Sequence, residues 1–396
     1  SYAQQAGFDV EGALTTLQAA MESRPEDALL WARLAELYLS VGELGEALNA
    51  AEQAAQQNPR LARTQSVLGY AYLAQIRIAD AEAAFERAIE LDQVDPLSRL
   101  GLGLAVIRRG KLEEGRGQIE LAASLDPNNS LIRSYLGKAY FDEKRDSAAA
   151  TELAMAKQLD PNDPTPWFYD AIRKQTVNRP IEALQDLQKS IELNNNRAVF
   201  RSKFLLDEDL AVRSVSQARI FQDLGFERPA LVKGWEAVTV APDNFSAHRF
   251  LADSYVALPR HNIARTSELL QSQLLAPIND TPLQPQLAEA NLAILENSGP
   301  LTAAFNEYNP MFISDGIRLQ LNGLYGNNDT WGNDAAFSGI HKKLSYSLGQ
   351  FHYQTDGFRA NNDNEEDLYN GFIQYAILPR LNLQTEFRRR ETDQGD

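Results

Sequence analysis

Apolar positions recur along most of the chain with a helical period, and at a longer range they recur every 34 residues. Prolines mark the long period: Pro25, Pro59, Pro127 and Pro161. The skipped slot is Gln93, with Pro96 just behind it, and the next slot is Asn195. Other marks fall in phase. Trp31, Leu34, Ala35 and Tyr38 line one predicted helix, and Ala47, Ala51 and Ala54 line the next, which Pro59 closes. Leu68, Gly69, Tyr72, Ala81, Phe85 and Ala88 repeat the pattern. So do Leu102, Gly103, Val106, Gly115, Ile119 and Ala122, and then Leu136, Gly137, Tyr140, Ala149, Leu153 and Ala156. The unit over 164–197 is looser, with Trp167, Ala171, Ala183 and Leu187. Small residues at Ala35, Gly69, Gly103 and Gly137 let two helices approach, large ones fill the space beside them, and proline ends the second helix. Such hairpins cannot bury their apolar faces alone, so they must stack.

These residues resemble the tetratricopeptide consensus, whose repeat is 34 residues long. The resemblance implies antiparallel helix hairpins in a right-handed superhelix, an α-helical solenoid that binds partners. Ala13, Leu17, Ala20 and Pro25 form the second half of a unit lacking its first helix, so 1–27 is a partial repeat. That points to a processed or trimmed start, and the lack of a visible signal peptide is uninformative. Five units fill 28–197, and an insertion occupies 198–210. Two degenerate units and a capping helix over 283–297 complete 211–300, with Ala218, Phe221, Ala230, Ala237 and Pro242, then Leu251, Ala252, Tyr255 and Ala264.

Beyond a linker at 301–315 the apolar period changes to two, and 316–396 reads as five antiparallel strands. Ile317, Leu319 and Leu321 alternate with polar residues, as do Leu381, Leu383 and Phe387. Ala335 to Ile340 is a weaker strand, and Tyr369, Ile373, Tyr375 and Ile377 mark another. In the third strand the apolar side passes from Leu344, Tyr346 and Leu348 to Phe351 and Tyr353, which predicts a bulge near Gly349. Long loops at 326–334 and 356–367 alternate with short turns near His341 and at Pro379-Arg380. The alternation resembles outer-membrane β-barrels. That resemblance implies short turns and solenoid on the periplasmic side, at the outer membrane. Five strands cannot close a barrel, so the chain is expected to continue past Asp396, or these strands to join another sheet.

Charge and composition narrow the chemistry. Basic residues number 30 and acidic 42 before Pro310, and 8 against 12 after it, which disfavours a nucleic-acid surface. There is no cysteine, hence no disulfide and no thiol chemistry. His248, His261, His341 and His352 form no metalloprotease motif. No phosphate loop or nucleophile elbow occurs, so the chain reads as a non-enzyme with no cofactor. The stretch 361–367, rich in Asn, Asp and Glu, lacks the glycine an EF-hand needs; it reads as a solvated loop, with calcium the alternative.

The stacked first helices build a groove, and its fifth and ninth slots offer Glu36, Tyr70, Ser134, Lys138, Phe168, Arg219, Arg249 and Asp253. Tyr70 and Phe168 could equally be packing residues. No Lys and Asn cluster suited to clamping a terminal carboxylate is present. Strand five puts Glu386, Arg388 and Arg390 opposite Phe387, on a barrel's lumen side: a polar wall, or a track for an anionic passenger. Two functions follow. One is a periplasmic scaffold of an outer-membrane export or secretion protein, binding a polymer or partner proteins. In domain order it resembles the outer-membrane subunits of bacterial cellulose and poly-N-acetylglucosamine export. The other is a general protein-interaction scaffold whose β segment anchors or oligomerises, with no transport role.

Overall fold

The computed structural model describes residues 1–7, 9–193, 206–256, 261–275, 315–378 and 381–395. Helices come in pairs: α1 (Tyr2–Ala6) with α2 (Val10–Ser23), α3 (Ala28–Val41) with α4 (Leu44–Gln57), α5 (Ala62–Ala74) with α6 (Ile78–Leu91). They continue as α7 (Pro96–Arg108) with α8 (Leu112–Leu125), α9 (Ser130–Asp142) with α10 (Asp146–Leu159), and α11 (Pro164–Thr176) with α12 (Pro180–Glu192). After these come α13 (Leu206–Asp223) with α14 (Glu227–Val240), and α15 (Phe245–Val256) with α16 (Asn262–Leu275). The chain divides into two compact units, Ser1–Pro242 and Asp243–Asp396.

The repeat is written in local chemistry at three 34-spaced slots. Helix starts use Asp27, Asp95, Asn129 and Asp163, whose side chains accept a backbone N–H from the first turn. Leu61 holds the same slot without a side-chain cap. The turns of the five hairpins from α3–α4 to α11–α12 each use a residue at positive φ: Gly42, Ile76, Gly110, Lys144 and Asn178. Gly225 resumes that series after the intervening segment. Close approach is the third device. A Cβ on Gly69 would collide with the Phe85 ring, one on Gly103 with Ile119, and one on Gly137 with Leu153. Phe85 also abuts Gly101 of the next hairpin, so one fully buried ring packs on two successive units. Ala218, Ala230 and Ala237, the small residues after the phase slip, are all buried.

In the second unit the hairpin α15–α16 precedes a sheet of β1 (Gly316–Tyr325), β2 (Trp331–His341), β3 (Leu344–Thr355), β4 (Asn364–Leu378) and β5 (Leu381–Gln394). The sheet is antiparallel in the order β1-β2-β3-β4-β5 and, among the described residues, does not close. The predicted bulge near Gly349 is absent: β3 pairs continuously with both neighbours through Gly349. The apolar side changes because Phe351 and Tyr353 belong to the opposite face, where they pack with Leu368. The irregularity lies instead at Ala376/Leu378, beside the β4–β5 turn. Both long loops are also shorter than expected, since β2 begins at Trp331 and β4 at Asn364. The expected capping helix at 283–297, most of the linker, the Pro379-Arg380 turn and residues 198–205 of the insertion lie outside the described residues.

Candidate functional site

Three surfaces carry the chemistry: the first-helix face of the solenoid and the two faces of the sheet.

On the first-helix face, Glu36 of α3 is half-buried and paired with Arg33 at 2.9 Å and with Arg63 of α5. Arg33 in turn lies over the Tyr2 ring, 3.8 Å from its centroid. Tyr70 of α5 donates its hydroxyl to the Leu97 carbonyl at 2.7 Å and meets Phe85 edge-on at 4.9 Å. Burial pushes its phenol far above the usual tyrosine range. Ser134 of α9 is fully buried and donates to the Ser130 carbonyl at 2.8 Å. Lys138 is also buried, with Nζ 2.5 Å from Asp142. Burial lowers the ammonium's pKa and raises that of the carboxyl, against their mutual attraction. Phe168 of α11 packs beside Tyr169, with ring centroids 5.9 Å apart. Arg219 of α13 and Arg249 of α15 are buried, and Asp253 lies in α15. The structure thus joins Glu36 to Arg33 and Arg63, while Tyr70, Ser134, Lys138 and Phe168 are each engaged by their own chain.

A charge cluster that the sequence reading passed over joins α10, α11 and α12. Lys157 Nζ lies 2.6 Å from Asp170 and 2.7 Å from Asp186, and Lys174 bridges the same two carboxylates. Arg173 contacts Asp170 at 2.8 Å and Asp146 at 2.9 Å. Burial alone would push the Asp170 carboxyl up, yet Lys157, Arg173 and Lys174 hold it well below the usual carboxylate range. A signal was present. The 34-spaced slot holding Leu34, Leu68, Leu102 and Leu136 holds Asp170 in the fifth unit. A carboxylate in a leucine slot demands counter-charges.

The sheet has two unlike faces. In register, Leu319, Phe337, Leu348, Gly371 and Phe387 form one cross-strand row. Ile317, Gly339, Tyr346, Ile373 and Thr385 form the next. This face exposes Leu319 at 65%, Leu348 at 55%, Ile373 at 53% and Phe387 at 66%. The opposite face buries Ser338, Ser345, Ser347, Asn370 and Gln374. Its Ser345, Ser347 and Asn370 side chains have no hydrogen-bond partner. Glu386, Arg388 and Arg390 take register positions on that polar face, opposite Phe372, Asn370 and Leu368. Arg390 pairs with Glu366 at 2.9 Å. Of metal-binding geometry, one group of three occurs among the described residues: His352, Glu365 and Asp367.

A tetratricopeptide repeat family model matches residues 2–62 and 67–130, so these segments are tetratricopeptide repeats. No curated protein sequence matches the chain. Among solved structures, the APC/C hetero-tetramer Cut9-Hcn1 is similar at 15% identity and a TM-score of 0.57, covering 67% of this chain and 50% of that one. Yeast Tom70 aligns at 16% identity and a TM-score of 0.48, covering 68% and 55%. Pseudomonas aeruginosa pilF aligns at 16% identity and a TM-score of 0.43, covering 58% and 99%. The chain spans about half the length of the first two. The likeness to Cut9-Hcn1 supports the helical-repeat fold.

Proposed function

We propose that this chain is a tetratricopeptide interaction scaffold tethered to an outer membrane by its C-terminal strands. The repeats lie on the periplasmic side and bind partner proteins or an exported polymer. The observation that carries the reading is the exposed apolar face: large apolar side chains stand in solvent on one side of the sheet, while serine, asparagine and glutamine are buried beside Phe351, Tyr353, Leu368 and Phe372 on the other. A water-soluble sheet turns polar residues outward. Lipid-facing strands of a barrel show this pattern. The apolar rows on β4 run from Tyr369 to Ile377, about 27 Å along a strand at ~3.4 Å per residue. At a tilt near 40° that gives a little over 20 Å of height, close to the ~25 Å band of outer-membrane barrels.

Fractionation of cells making the full-length protein tests the tether. The expected result is an outer-membrane fraction resistant to carbonate extraction, with heat-modifiable migration on a denaturing gel. Recovery as a soluble protein without that shift would sink it. That outcome would favour a general interaction scaffold whose exposed apolar face packs on a partner protein.

A further inference from the structure

At the loop end of the sheet, β3 and β4 bring three donor side chains to one place. His352 stands directly opposite Asp367 in register, with Nδ1 2.9 Å from Asp367 Oδ1. Glu365 precedes Asp367 by two residues, so the pleat puts it on the same face. One donor atom from each of the three lies within 4.8 Å of the other two. The imidazole is held in place by the Trp331 ring, 4.2 Å away between centroids, and Trp331 is itself fixed by its N–H bond to Gln354 at 3.1 Å. His352 Nδ1 faces Asp367, which makes it the imidazole nitrogen placed to share an ion with the carboxylates; Nε2 is buried with no hydrogen-bond partner. On the neighbouring strand Glu391 stands opposite Asp367, and Asp393 opposite Glu365. Four carboxylates therefore share this corner, with Arg389 pairing Glu391 alone.

We propose that His352, Glu365 and Asp367 form a binding site for a divalent transition-metal ion. One imidazole nitrogen with two carboxylates suits zinc or manganese, whereas calcium takes oxygen donors alone. A dication relieves the carboxylate crowding and uses the histidine that an acidic calcium loop would leave idle. Three protein ligands leave a coordination position open to water or to an anionic group of a partner. The ion ties β3 to β4 at the rim, adding to the backbone pairing and the His352–Asp367 bond. This inference does not depend on the membrane reading, because the donor set is complete within two adjacent strands.

Zinc titration of the full chain by calorimetry tests the site, with Zn2+ alone as the probe. One ion per chain is expected. His352→Gln and Asp367→Asn each weaken binding at least about tenfold. His341→Gln, at an exposed histidine beside Asp315, leaves it unchanged. Should the His352 variant fail to fold, Glu365→Gln alters an exposed residue and still weakens binding. No uptake by the unmodified chain overturns the proposal, and so does uptake indifferent to all three substitutions.

Discussion

Trp31 donates its indole N–H to the carbonyl oxygen of Pro25 at 2.7 Å. The same bond recurs one repeat at a time: Gln65 to Pro59, Arg99 to Gln93 and Arg133 to Pro127. Four different pairings of side chain and carbonyl keep one six-residue span, which fixes the loop entering each first helix. In the fifth unit the donor slot is Trp167, whose N–H is buried without a partner while Lys157 lies 4.5 Å over its ring. Trp31→Phe should therefore cost about 1 kcal/mol of stability, the net worth of one hydrogen bond. Trp167→Phe should cost almost nothing, since it deletes an unmet donor and keeps an aromatic face. Urea denaturation of the two variants, compared with the parent chain, checks the contrast.

Gly137 and Leu153 illustrate the hairpin contact, because a Cβ on the glycine would sit 2.7 Å from the leucine Cγ. Gly137→Val should destabilise the hairpin by about 1–3 kcal/mol through overpacking. Adding Leu153→Ala should recover part of that loss, and a double-mutant cycle read by chemical denaturation measures the coupling.

The turn slot at Ile76 places a β-branched residue at φ 61°. Glycine occupies two of the same slots, Gly42 and Gly110. Left-handed backbone costs a residue with a Cβ roughly 1–2 kcal/mol. Gly110→Ile, at φ 87°, should destabilise by about that amount, whereas Ile76→Gly should be neutral or raise stability. Thermal unfolding of both variants decides it.

Acid should weaken the α10–α12 contact. The folded Asp170 carboxyl titrates below its unfolded value, so its contribution is present above the unfolded pKa near 4 and is lost as pH falls toward the depressed one. Asp170→Asn should lose about 1–3 kcal/mol at neutral pH, because it removes a carboxylate that three cations share, while Asp186 still holds Lys157 and Lys174 and Asp146 still holds Arg173. It should also flatten the acid limb of the stability profile. Denaturation midpoints across pH 3–7 separate the variant from the parent.

On the sheet, Leu319→Arg and Ser347→Lys place charge on opposite faces. If lipid meets the apolar face, Leu319→Arg should reduce membrane assembly by about 2–4 kcal/mol near mid-depth, and Ser347→Lys should spare it. The fraction of heat-modifiable protein in membranes reports the difference.

Much of this architecture was legible because the repeat is written in small residues. Gly69, Gly103 and Gly137 announce close helix approach, and the structure puts a large side chain against each. The strands were legible from period-two alternation at Ile317–Leu321 and Leu381–Phe387. Gly349 misled, since a change of apolar side in one strand has two physical causes. A bulge is one; a strand whose two ends bury opposite faces is the other, and Phe351 and Tyr353 follow it. The first-helix slots were harder still. Sequence spacing places Tyr70 and Ser134 on one face, but not whether a neighbouring carbonyl has already claimed the hydroxyl. The cluster around Asp170 escaped because its partners come from three helices, although the broken leucine series marked its position.

Phe85 touches Gly69 in its own hairpin and Gly101 in the following one, and that gives the array an elastic character. Each hairpin leans on its neighbours through such steric seats. Tension applied along the array is thus shared as small rotations at successive seats.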